Sequence, residues 1–215
     1  MGYLLHQQNE RSVISKEIAL KTSDKRREII NAALELMAEQ GFHGAPMALI
    51  AKRAGVAAGT IYCHFPSREA LINEIYTEVE KKVVAALAED GDRSRPLREQ
   101  FICAGTALLR YFIANPVDFR YIEQYHNSPY GALLRKDRLL GQADNRNLFQ
   151  ELFQEGVAKK LLKDLPVNAL FALAFGPMIF LARDHIIGLA LLDEKVIAQC
   201  IEACWDSIKE VNSNN

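Results

Sequence analysis

The stretch from Leu49 to Phe65, LIAKRAGVAAGTIYCHF, constrains the fold more than any other part of the chain. Ile50, Ala51 and Ala54 recur at helical spacing, Gly55 supplies the left-handed conformation that ends a helix, and Val56 returns toward the core. A second short helix is predicted from about Ala57, where Ala57, Ile61 and Phe65 are spaced four apart and share one buried stripe. The opposite face carries Ala58, Gly59, Thr60, Tyr62, Cys63 and His64. Its small residues permit close approach, and its hydroxyl, phenol and imidazole groups can bond phosphates or base edges. Two helices joined by a tight glycine turn, with such a face left free, form a unit suited to the major groove of DNA.

The flanks support this. Pro66 to Glu69 reads as a stop, a serine N-cap at Ser67 and a first helical turn whose free N–H groups can receive a phosphate, with Arg68 adding charge there. Lys52 and Arg53 are either phosphate contacts or a solvated helix face. Upstream, Asp24 to Gln40 places Ile29, Ile30, Ala33, Leu34 and Met37 on one face, with Thr22 or Ser23 as caps and Gly41 as the closing residue. Three short helices therefore precede a long one.

At Ile29 to Leu36, Gly41-Phe42, Ile50-Ala51, Ala54 to Val56, Gly59-Thr60, Tyr62, His64-Phe65 and Arg68 to Leu71, the chain resembles the tetracycline-repressor (TetR) family of transcriptional regulators. The resemblance spans roughly residues 24 to 75, with Asn115-Pro116 and Asn127 to Pro129 looking like boundaries seen in some members. It implies DNA binding as a homodimer through a four-helix interface built from the last two helices of each subunit. It also implies a pocket for a small-molecule effector among the middle helices. The chain departs from the family pattern at Ala45, Ala48, Ala57 and Ala58, where polar or basic residues are usual. Common phosphate contacts and two helix caps are thereby lost, and methyl contact to thymine at Ala58 is a substitute.

Downstream the pattern is helical throughout. A long amphipathic helix from Ser67 to about Glu89 buries Leu71, Ile72, Ile75, Val79, Val83 and Leu87 and ends at Asp90-Gly91-Asp92. Further helices are predicted from Pro96 to Ala114, Pro116 to Tyr125, Gln142 to Lys160, Pro166 to about Ile187 and Asp193 to Val211, with a loop and short turn over 127–141. The expected fold is all-α with about nine helices: an arm and three-helix DNA-binding domain over 1–66, then a larger ligand-binding and dimerisation domain over 67–215. Gly176-Pro177 is expected to kink the most apolar helix. That helix is apolar nearly all round, so it needs either a second copy or a monomeric core to cover it. Phe101, Phe112, Tyr121, Tyr125, Phe149, Phe153, Phe175 and Met178 lie on several helices of this region. They either line an apolar ligand pocket or pack as core.

Overall charge is neutral to slightly acidic at −1, unevenly spread: residues 1 to 70 hold nine Lys and Arg against seven Asp and Glu, the rest seventeen against twenty. So small an excess permits DNA binding, with tight binding needing two copies of the reader. The N-terminal residues lack a secretory pattern, and the longest apolar stretch, Val167 to Ala182, is short for a bilayer span. A cytoplasmic protein without membrane association is expected. Cys200 and Cys204 offer two thiols one turn apart, either core packing or part of a metal or redox site, and His6, His43, His64 and His126 show no ligand spacing. Asp184-His185 is a pocket pair or an internally bonded helix end. No nucleophile context or phosphate-binding glycine loop appears, so neither an enzyme nor a cofactor is expected. The rivals to an effector-released repressor are a constitutive repressor and a helical carrier or enzyme lacking DNA function.

Overall fold

The computed structural model describes residues 24–88, 92–139 and 148–211. Among them are ten helices and no strand: α1 (24–44), α2 (Met47–Arg53), α3 (Ala58–His64), α4 (Arg68–Ala88), α5 (Leu97–Ala114), α6 (Pro116–His126), α7 (Pro129–Leu139), α8 (Leu148–Ala158), α9 (Val167–Ile186) and α10 (Glu194–Ile208). The extra helix relative to the sequence reading is α7. Ser128-Pro129 and Gly131 look like loop residues, yet proline is well suited to a first helical turn because its missing N–H would be unpaired there anyway. Ser128 Oγ accepts the N–H of Gly131 at 3.4 Å and completes the start. The expected caps Thr22 and Ser23, the arm before them and the predicted helix start at Gln142 lie outside the described residues.

The chain forms two compact units. The first contains residues 24–78 and, from the middle of the sequence, Arg120–Tyr125 of α6. Its core is made of Ile29, Ala33, Leu36 and Met37 from α1, Ile50 from α2, Ile61 from α3, and Leu71, Ile72 and Ile75 from α4, all buried. The second contains 79–119 and the residues from His126 onward. The division between these compact units runs through α4 and α6.

Within the second unit α10 packs on α9 and α5, and α5 and α9 both pack on α8. Within the single chain α9 is covered along one side only. Leu170, Ala174, Phe175, Met178 and Ala182 form its buried stripe, while Leu173, Ile179 and Phe180 are exposed, Phe180 at 56%. At 20 residues α9 is, by length and composition, able to cross a membrane, but its buried stripe is packed against helices of its own unit. Pro177 lies inside α9 and cannot donate to the carbonyl of Leu173, four residues back. That carbonyl lies 3.3 Å from Ser207 Oγ on α10, whose one hydroxyl proton has a nearer acceptor in Cys204 O at 2.7 Å.

The loop after α8 clasps the end of α10. Lys163 donates its backbone N–H to Ile208 O at 2.9 Å and its Nζ to Ser207 O at 2.6 Å, and Glu210 N–H returns to Leu161 O at 2.9 Å. Leu162 is buried against Gly156, where a Cβ would lie 2.5 Å from Leu162 Cδ1.

Candidate functional site

The turn between α2 and α3 forms as its sequence dictates. Gly55 adopts φ +64°, its N–H bonds to Lys52 O at 3.3 Å, and the Val56 N–H bonds to Ala51 O at 3.0 Å. This pair of bonds closes a helix on carbonyls that would otherwise lack donors. Val56 itself is only half-buried.

α3 then spans seven residues with Ile61 fully buried. Ala57 corrects the expected stripe: it is exposed, because it occupies the N-cap in extended conformation and stands before the first helical turn. Its methyl group cannot cap, and no side chain accepts the first N–H groups there. Phe65, 3% exposed, ends α3 in extended conformation and donates its N–H to Ile61 O at 2.8 Å. Ala58, Gly59, Tyr62 and Cys63 are exposed, and Thr60 and His64 are half-exposed. Tyr62 is 54% exposed, which leaves its ring and hydroxyl open to solvent. A Cβ added to Gly59 would meet nothing within 4 Å, so the α3 surface there is open. Cys63 Sγ donates to Gly59 O at 3.5 Å. Ala48 is exposed and Ala45 buried, so the first is a lost polar position on the surface and the second a packed one.

The cations near this face differ in availability. Lys52 is exposed. Arg53 turns back to α1, with Nη1 3.0 Å from Glu39 Oε2 and 3.9 Å from Glu35 Oε2. Arg68, read from sequence as a phosphate ligand, donates Nη2 to the carbonyls of Phe42 and Ala45, the latter at 3.4 Å. Its guanidinium adds a donor to carbonyls at and just past the end of α1, the Phe42 carbonyl also accepting the Ala45 N–H at 3.4 Å. The start of α4 is also occupied from within: Ser67 Oγ accepts the Ala70 N–H at 3.1 Å. A bond from its own backbone N–H, aided by the Ser67 hydroxyl, holds the Glu69 carboxyl below the usual range. The expected phosphate site at this terminus is therefore largely filled by the protein's own groups.

The eight aromatic and Met positions do not form one group. Tyr121 and Tyr125 belong to the first unit. Tyr121 is fully buried with Phe42 edge-on at 5.7 Å, and Tyr125 stacks on Tyr76 at 4.1 Å and donates its hydroxyl to Asn73 Oδ1 at 2.9 Å. The sequence placed them with the second unit because both lie downstream of residue 67, where the second domain is expected to begin. In the second unit Phe101, Phe149, Phe153 and Phe175 form a ring cluster, with Phe149 and Phe175 4.4 Å apart. The cluster recruits two rings not singled out from sequence, Phe171 at 5.0 Å from Phe153 and Trp205 at 5.5 Å from Phe101. Met178 reaches toward Gly105 on α5, and Phe112 pairs with Phe119 at 5.2 Å.

A polar network in the second unit also escaped the sequence reading. Asp118, 5% exposed, accepts the Tyr111 hydroxyl at 2.6 Å and Lys82 Nζ at 3.1 Å. Burial, with the Asp118 carboxylate adjacent, pushes the Tyr111 phenol far above its ordinary value. An aspartate in the first turn of a helix is ordinary in sequence, so nothing marks it as buried. His185 Nδ1 accepts the Leu192 N–H at 3.1 Å, so that ring serves the α9–α10 loop. Burial raises the thiols of Cys200 and Cys204, the latter to about 11, which keeps both neutral and apolar in character.

Two short helices about a glycine turn, the second presenting an exposed polar face, in a chain that continues into a helical second unit, define a helix-turn-helix DNA-binding protein. Comparison with known proteins gives the same answer. The family description "Bacterial regulatory proteins, tetR family" matches residues 29–75, and "Tetracyclin repressor-like, C-terminal domain" matches 96–209. An uncharacterized helix-turn-helix-type transcriptional regulator of Haemophilus influenzae is 28% identical over 87% of this chain and 97% of its own. A TetR-family regulator structure from H. influenzae Rd superposes with TM-score 0.72 at 26% identity, covering 87% of this chain and 98% of that one. A TetR family protein from Vibrio parahaemolyticus does so with TM-score 0.69 at 30% identity, covering 87% and 99%. The chain belongs to the TetR family of DNA-binding transcriptional regulators.

Proposed function

We propose that the chain is a cytoplasmic repressor that binds a near-palindromic operator as a homodimer and is released by a small, largely apolar effector. The observation that carries the reading is the exposed face of α3 opposite buried Ile61. Ala58, Gly59, Thr60, Tyr62, Cys63 and His64 contact base edges and sugar-phosphate, Lys52 contacts a phosphate, and Arg68 braces the start of α4 beneath them. Two such helices enter major grooves about 34–36 Å apart, or a multiple of that.

The exposed apolar positions Leu173, Ile179 and Phe180 on α9 support dimerisation, since a patch of this kind is ordinarily covered by another copy. Phe101, Phe112, Phe149, Phe153, Phe175 and Met178 remain the effector-contacting side chains of the second unit. Rings as close as those of Phe149 and Phe175 must part to admit a ligand, so effector binding is coupled to repacking. The coupling needed to change operator affinity is roughly 1–3 kcal/mol. Tyr121 and Tyr125 act in the first unit instead.

Enrichment of duplexes from a random pool, followed by gel shifts with Tyr62→Ala and His64→Ala, tests the reader. Loss of binding by folded variants is expected, and wild-type affinity in both sinks it. Light scattering of the free protein tests the dimer. The close ring packing favours a second reading, a constitutive repressor; undiminished operator binding across a panel of apolar and cationic amphiphiles would favour it over the first.

A further inference from the structure

We propose that Arg26, near the start of α1, is a positioning residue for DNA recognition that fixes the end of α3 through Phe65 without touching DNA itself. α3 is too short to persist alone, since isolated helices of fewer than about 12–15 residues are marginal in water. It has no side-chain cap at Ala57, and its buried anchors are Ile61 and, just past its last turn, Phe65. The Arg26 guanidinium carbon sits 5.1 Å from the centroid of the Phe65 ring, in range for attraction between a cation and an aromatic face. Arg26 Nη2 is also 2.6 Å from Glu74 Oε1 on α4, with both side chains more than half buried. Glu74 thus holds the guanidinium on the ring, and one side chain joins the start of α1, the end of α3 and the body of α4. Its charge is already matched by that carboxylate, so it adds little to attraction for phosphate.

This rests on α3 being the reading helix, and the test separates the two. Wild type, Arg26→Met, Arg26→Lys, Glu74→Gln and Tyr62→Ala are titrated with one duplex enriched by the wild-type protein, at several salt concentrations, with circular dichroism confirming that each is folded. Arg26→Met, which keeps the stem but removes the cation, is expected to weaken binding about five- to tenfold, with an unchanged slope of affinity against salt. Arg26→Lys, which retains a cation over the ring, recovers most of the loss. Wild-type affinity in Arg26→Met, or Arg26→Lys as weak as Arg26→Met, overturns the proposal. So does a slope shallower by about 0.9, which would mean a direct phosphate contact. If Arg26→Met does not fold, Glu74→Gln decides: a two- to threefold loss supports the clamp and no loss overturns it. Wild-type binding by Tyr62→Ala would instead remove α3 as the reader.

Discussion

The hydroxyl of Tyr121 on α6 donates at 2.6 Å to the backbone carbonyl of Ile72 on α4, with the tyrosine fully buried. Gln124 Nε2 donates to Ala38 O at 3.2 Å nearby. The unit that holds the helix-turn-helix is thus completed by a segment that arrives some fifty residues after α4 begins. Tyr121→Phe should lose about 1 kcal/mol, the usual net worth of one such bond, and Tyr121→Ala about 3–5 kcal/mol. A fragment ending at residue 88 lacks the segment altogether and should melt less cooperatively and at lower temperature than the first transition of the full chain. Calorimetry checks both, and an equally stable fragment would contradict them.

Asp118 should matter more to stability than Lys82, although they share an ion pair. The aspartate is buried with two partners, whereas the lysine side chain is 52% exposed and remains hydrated without it. Asp118→Ala leaves the Tyr111 hydroxyl without its acceptor and is expected to cost about 2–3 kcal/mol; Lys82→Ala about 1 kcal/mol or less. Chemical denaturation of the two variants gives the order directly.

At the end of α8, two substitutions should act in opposite directions. Gly156→Ala drives a methyl into Leu162 and into Leu97 Cδ2, 2.8 Å away, and should cost about 1–3 kcal/mol through overpacking. Lys160 is held at φ +56°, a left-handed conformation that costs a residue with a Cβ roughly 1 kcal/mol. Lys160→Gly relieves it and should raise the melting temperature, with the expected gain reduced by glycine's greater freedom in the unfolded chain.

The cysteines should separate by reactivity. Cys63 is exposed on α3 and should react fastest with a soluble thiol reagent, and bound operator duplex should protect it. Cys204 is buried with its thiol raised to about 11, so it should react only as fast as the protein opens. Because its folded value lies above the unfolded one near 9, the folded state binds the extra proton between them. Stability from this group is complete below about pH 9 and is lost as pH rises toward 11. Cys204→Ala should flatten that part of the pH–stability curve, measured by urea unfolding.

The helix-turn-helix was legible because its signals are local. Gly55 can take a positive φ that alanine resists, and the spacing of Ile50, Ile61 and Phe65 records which face meets the core. The candidate face on α3 followed from the same periodicity, and only Ala57, one position before the helix, fell on the wrong side. α7 was missed because proline and glycine mark loops and helix starts alike.

By itself the sequence determined an all-helical chain, its helix-turn-helix segment and the face that segment leaves to solvent, since these follow from periodicity and backbone preference over a few neighbouring residues. Tertiary structure decided what long-range packing alone can decide. It sent Tyr121 and Tyr125 to the first unit, turned Arg53 and Arg68 onto α1, set Arg26 over Phe65 and buried Asp118 beside Tyr111. Each of those outcomes depends on which helix lies opposite, and a side chain's own position in the sequence carries no record of its partner across the core.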